Sequence, residues 1–144
     1  MIVTLLAARG MISFQIMEMA MKLSSFLAVN SVILVFFGIG FIVMPATMTS
    51  LYGVELSAMG LLVGQLLGAA FLGFGILRWH ARKAKPSALL SALVLAGLVE
   101  DVIGFTVLLL AQSAGLMNAM GWSNVLLYGL FAAGFGYFHF ANES

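Results

Sequence analysis

The chain has 144 residues, of which 63% are hydrophobic and 8% charged, and its mean hydropathy is +1.16. A water-soluble domain of this length has too much surface for its volume to hide so much apolar material, so lipid must be the solvent for most of it. The net charge of +1 leaves no footprint for nucleic acid, and the lack of cysteine excludes a disulfide frame, a thiolate nucleophile and a Cys-ligated metal or iron–sulfur site.

In chain order, residues 1–21 come first, as an extension. Met1 to Ala8 is apolar but too short to span, and Arg9-Gly10 interrupts it. Met11 to Met21 is rich in methionine and carries Glu18. An interfacial helix, or a disordered segment, fits this composition. A translation start further in, at Met17, Met19 or Met21, fits it as well. No cleaved signal peptide is expected, because no basic residue precedes the apolar stretch.

Residues 22–144 form the membrane domain. A span needs about 20 apolar residues, and four runs qualify: about 25–44, 58–77, 88–110 and 122–140. Unbroken runs mean helices, since barrel strands alternate over about ten residues. The expected fold is therefore all-α and integral to the membrane. Short connections make neighbours antiparallel, giving an up-down-up-down bundle of four transmembrane helices.

Arg78, Arg82, Lys83 and Lys85 carry four of the six positive charges and follow the second span. Lys22 precedes the first. The other two loops hold one charge between them, Glu55. The positive-inside rule puts both termini and the basic loop in the cytoplasm, as for a protein of a bacterial inner membrane. Trp79 and Trp122 then fall at opposite interfaces.

Gly60, Gly64 and Gly68 recur every four residues on the second span, so all three share one side of the helix. Gly75 returns to that side. Such rows let helix backbones approach closely, either within one copy or as a seam between two. Ala132 and Gly136 extend a similar row from Asn124 and Tyr128 on the fourth span. On the third, Gly97 and Gly104 are nearly eclipsed, and Glu100 and Asp101 flank the groove between them.

Those two acids lie in the middle of an apolar run, where ionisable groups are rare and need a use or a partner. By height along the spans, no Lys or Arg reaches them. Their expected companions are neutral: Gln65 on the second span and Tyr128 on the fourth, each able to donate to a carboxylate. The cluster Gln65, Glu100, Asp101 and Tyr128 would bind a proton or a cation. It could equally hold the helices in register, or meet a basic residue on a partner protein. Asn30 is expected to cap or bond locally near the cytoplasmic side.

His80 and His139 end the second and fourth spans at one level, a geometry that could ligate a haem iron through both axial positions. No spacing for a metal site, Walker loop, nucleophile elbow or zincin helix is present, and no cofactor is implied. No nucleophile–base pair supports an enzyme.

Two resemblances follow. Glu100-Asp101-Val102-Ile103-Gly104, with Leu110, Ser113 and Gly115, resembles the first helix of small multidrug resistance exporters. In that family an acid before Val-Ile-Gly exchanges protons with cationic drugs, which implies this role for Asp101. The layout as a whole resembles small bacterial four-helix membrane proteins of the DoxX-like kind. The likeness rests on the Gln65-to-Gly73 segment, Arg78-Trp79 and Gly121-Trp122-Ser123-Asn124, and it implies architecture more than activity.

Three functions are therefore in view. The leading one is a structural or assembly subunit of a membrane complex, self-associating or bound to another membrane protein. The alternative is a proton-linked transporter of small cations. Four helices enclose little room for a solute path, so a transporter needs a dimer. The third is a haem-binding redox protein.

Overall fold

A computed structural model of the protein describes residues 2–141. The protein is an all-α, four-helix membrane bundle. Its elements are α1 (Ile2–Val43), the short α2 (Pro45–Ser50), α3 (Ala58–Ala81), α4 (Ala88–Ser113) and α5 (Gly121–Ala141). Stretches of α1, α3, α4 and α5 are each long and apolar enough to cross a bilayer. The segment before the first span continues the same helix, because α1 is unbroken from Ile2.

Local chemistry sets the ends. Met44 precedes Pro45, and a residue before proline is pushed out of the helical region; Met44 sits at φ −140°, ψ 58°. Pro45 then opens α2, where its missing N–H is no loss. The Ser57 hydroxyl accepts from the Gly60 amide at 3.2 Å and caps α3, and Ser87 caps α4 through Leu90 at 3.2 Å. At the far end of α4, Gly115 takes φ +71°. The Leu116 amide reaches Ala111 O and the Gly115 amide reaches Gln112 O, both at 3.1 Å, which satisfies two orphan carbonyls.

The helices form two antiparallel pairs. α1 lies along α3: Ser31 meets Gly75, Gly38 meets Gly68 and Leu72, and Phe41 meets Gly64. The backbones touch there. A Cβ on Gly68 would fall 2.8 Å from Gly38 O, and one on Gly38 would fall 2.8 Å from Leu72 N. The Ser31 hydroxyl adds an interhelical bond to Gly75 O at 2.5 Å. Of the two uses open to this row, the first is seen: Gly64, Gly68 and Gly75 pack against α1 within one copy.

α5 lies along α4 in the same way, with Phe135 in the Gly97 notch and Tyr128 against Gly104. The pairs join at the end that carries the basic 82–87 loop. Leu23 and Leu27 of α1, Val94 of α4, and Phe135 and Phe138 of α5 form a buried core there. Phe26 presents its ring to Phe131, Phe135 and Phe138 at centroid distances of 5.8, 4.8 and 5.3 Å. Burying these rings together is the main apolar tie between the pairs.

The opposite end is stitched by polar groups. The Asn118 amide donates to Tyr52 O at 2.8 Å, and its side chain donates to Leu51 O at 3.0 Å. The Tyr52 hydroxyl donates to Asn124 Oδ1 at 3.1 Å. Large apolar side chains such as Phe36, Leu66, Leu89 and Leu130 point outward from the bundle. In lipid that outward face is the stable one.

A charged floor in a central cavity

Between the two helix pairs lies a cavity of about 300 Å³. Its walls are apolar, including Leu34, Phe37, Phe71, Leu108 and Leu127, and its polar groups gather at two levels. Tyr52 and Asn124 line the end away from the basic loop. Asn30, Arg78, Glu100 and Asp101 line the other, with Tyr128 on the wall.

Arg78 belongs to α3, not to the loop as expected, and it is 4% exposed. Its Nη2 donates to Glu100 Oε2 at 2.5 Å and its Nη1 to Asn30 Oδ1 at 2.5 Å. Its guanidinium carbon stands 5.0 Å from the centre of the Phe135 ring. One side chain on α3 therefore engages α1, α4 and α5. Asn30 bonds this arginine, not its own helix.

The reason is the lean of helical side chains. Each Cα–Cβ bond tilts toward its helix's N-terminus. α3 and α4 are antiparallel, so Arg78 leans into the bundle while Glu100 leans down toward the basic loop. The long arginine stem covers the remaining distance. Judging height by Cα position alone hides this meeting. The one available signal was that Arg78 stands a full helical turn before Arg82, away from the loop cluster.

The same lean removes Gln65 from the site. Like Arg78 it leans toward the start of α3, but from a position nearer that end, which carries it away from the acids; it is exposed, with its Nε2 donating to Ile42 O at 3.2 Å. Gln65 lies about 20 Å along the helix from Arg78. Of the expected cluster, the structure brings together Glu100, Asp101 and Tyr128, and it replaces Gln65 with Arg78 and Asn30. Gly97 and Gly104 do flank the acids, and their groove faces the rings of α5. The nearest neighbour of Gly60 is Leu56, in the segment before α3.

The two acids are not equivalent. The Glu100 side chain is 30% exposed and paired with Arg78. Asp101 is 4% exposed, and its Oδ2 has no hydrogen-bond partner. Among the described residues one other buried side-chain oxygen shares that condition, Gln112 Oε1, which abuts Gly121 outside the cavity. A buried polar atom without a partner is costly and calls for an explanation. The floor thus holds one guanidinium and two carboxyls.

The histidines lie elsewhere. His80 lines grooves on both sides of α3, one toward α4 and one toward α1. His139 lines neither, and its ring stands 5.0 Å from Phe140 on α5. The two helices pack on different partners, so this placement gives a shared haem iron no support. Among the described residues no group of three or more His, Asp or Glu gathers as metal ligands would. Where little room for a solute path was expected in one copy, a cavity of about 300 Å³ lies inside a single bundle.

The chain matches no known protein family, no curated protein and no solved structure.

Proposed function

We propose that this protein binds a small cationic solute in its central cavity and exchanges it for a proton at Asp101. It would act as a proton-linked transporter or carrier in a bacterial cytoplasmic membrane. The observation that carries this reading is Asp101 Oδ2, a buried oxygen without a partner on a residue that lines an open cavity. A polar knot built only to hold helices in register would be fully satisfied and tightly packed. This one is neither.

The chemistry is simple. A buried carboxylate oxygen without a hydrogen-bond partner is unfavourable, and a proton or a cation relieves it. Only one can sit at Asp101 at a time. Arg78 neutralises Glu100 and leaves Asp101 as the exchanging group. The apolar walls suit a solute with a hydrocarbon body and one positive charge. Because the cavity belongs to one copy, the mechanism needs no dimer. The basic residues Arg82, Lys83 and Lys85 follow α3, and Lys22 lies on α1 near the same end, which supports cytoplasmic termini.

The test is equilibrium binding of n-octyltrimethylammonium to the full chain in lipid nanodiscs. Wild type should bind saturably, and Asp101→Asn should lose most of that binding. Equal binding by both proteins would defeat the proposal.

A second reading keeps the assembly role. Ala69 and Gly73 are four residues apart on the outward side of α3, and a Cβ at Gly73 would meet nothing within 4 Å. That small, open face suits a helix of another membrane protein or of a second copy. Co-purification in mild detergent tests it. A lone monomer would count against it.

A further inference from the structure

The central cavity is not the largest space in the protein. A groove of about 580 Å³ runs between α3 and α4 on the outside of the bundle. Phe74, Leu77, Leu89, Leu90, Leu93 and Ala96 are among its apolar walls. Phe74 is 46% exposed, Leu77 53% and Leu89 80%, so the groove opens where lipid tails lie.

Four side chains line both this groove and the central cavity: Leu67, Phe71 and Arg78 from α3, and Glu100 from α4. α3 packs on α1 and α4 packs on α5, while the backbones of α3 and α4 hardly approach each other. Between lipid and cavity there are therefore side chains and no close backbone contact. Side chains change rotamer far faster than packed helices separate.

We propose that Leu67, Phe71 and the Arg78–Glu100 ion pair form a lateral gate, through which a cationic amphiphile dissolved in the bilayer reaches Asp101. The choice of solute rests on the binding role proposed above; the gate itself does not.

The two halves of the ion pair are held unequally. Arg78 keeps its bond to Asn30 and its place over the Phe135 ring when Glu100 leaves. Glu100 is held by its hydrogen bond from Arg78, and the Glu100 side chain is 30% exposed against 5% for Arg78. Glu100 is the leaf that swings. A cationic head arriving along the groove meets this carboxylate first, with its tail still among Leu77, Leu89 and Leu93. The next residue, Asp101, stands on the cavity side. A cation handed from one acid to its neighbour is never left bare in hydrocarbon. At the end away from the basic loop, the Tyr52–Asn124 bond and Asn118 tie the two loops to each other.

The experiment needs no substrate. Adamantyl diazirine is dissolved in the lipid of nanodiscs holding the full chain, photolysed, and the labelled residues are found by peptide mass spectrometry. Leu108 and Leu127 line the cavity and not the groove. Leu130, 61% exposed on α5, reports labelling from lipid at large. Wild type should carry label at Leu108 and Leu127. Ala96→Trp, which fills the groove, should lose it while Leu130 keeps it. Glu100→Ala, which removes the leaf, should gain label at both cavity positions and covers the case in which the tryptophan variant does not fold. Unchanged cavity labelling in Glu100→Ala, or no cavity label in either wild type or Glu100→Ala, would overturn the gate. Loss of octyltrimethylammonium binding with labelling intact would defeat the binding role and leave the gate standing.

Discussion

Arg78 of α3 and Glu100 of α4 are joined at 2.5 Å across a gap that their helices leave open. The pair bridges the two halves of the bundle where little else does. Breaking one partner of a buried pair strands the other charge, which is worse than never having the pair. Arg78→Gln should therefore lower stability by about 2–4 kcal/mol. The double variant Arg78→Met, Glu100→Gln should recover most of that loss. Thermal unfolding in one detergent compares them, and a double variant as unstable as the single would contradict this view of the pair.

Gly68 and Gly73 sit five residues apart on α3 in opposite surroundings. A methyl group on Gly68 would press on Gly38 O and the Phe41 side chain at 2.8 Å, with backbone that cannot yield. Gly68→Ala should cost about 1–3 kcal/mol through overpacking. At Gly73 the space is open, so Gly73→Ala should be neutral, or should stabilise the helix by up to about 1 kcal/mol. Unfolding midpoints that move together in both variants would contradict the packing described for α1 and α3.

At the end away from the basic loop, the Tyr52 hydroxyl donates to Asn124 Oδ1 at 3.1 Å. Tyr52→Phe removes that bond and keeps the ring. The expected loss is about 1 kcal/mol, the net worth of one hydrogen bond. Hydrogen exchange should rise at the start of α5 and stay unchanged near Phe135. A rise spread evenly over the bundle would show that the end is not tied locally.

The four spans were legible because lipid demands long apolar runs, and Pro45 marks the first helix end directly in the sequence. The glycine notches were legible as well: spacing alone puts Gly64 and Gly68 on one side, and Gly97 and Gly104 on another. Spacing does not say which helix fills a notch. That depended on α1 offering its own glycine, Gly38, and on α5 offering the rings of Phe135 and Tyr128. The floor of the cavity was half legible. Glu100, Asp101 and Tyr128 came from the sequence, while Arg78 and Asn30 did not. Heights counted along the backbone ignore the N-terminal lean of side chains, which in antiparallel helices draws Arg78 and Glu100 together and sends Gln65 away. The cavity itself had no signal, because it exists where α3 and α4 fail to pack.

The most direct measurement is the count of protons released when octyltrimethylammonium binds the detergent-purified full chain in weakly buffered solution. This cation can neither hold nor lose a proton, so any released proton comes from the protein. Release should accompany binding in wild type, persist in Glu100→Gln and vanish in Asp101→Asn. Binding without release in wild type, or release undiminished in Asp101→Asn, would contradict exchange at Asp101.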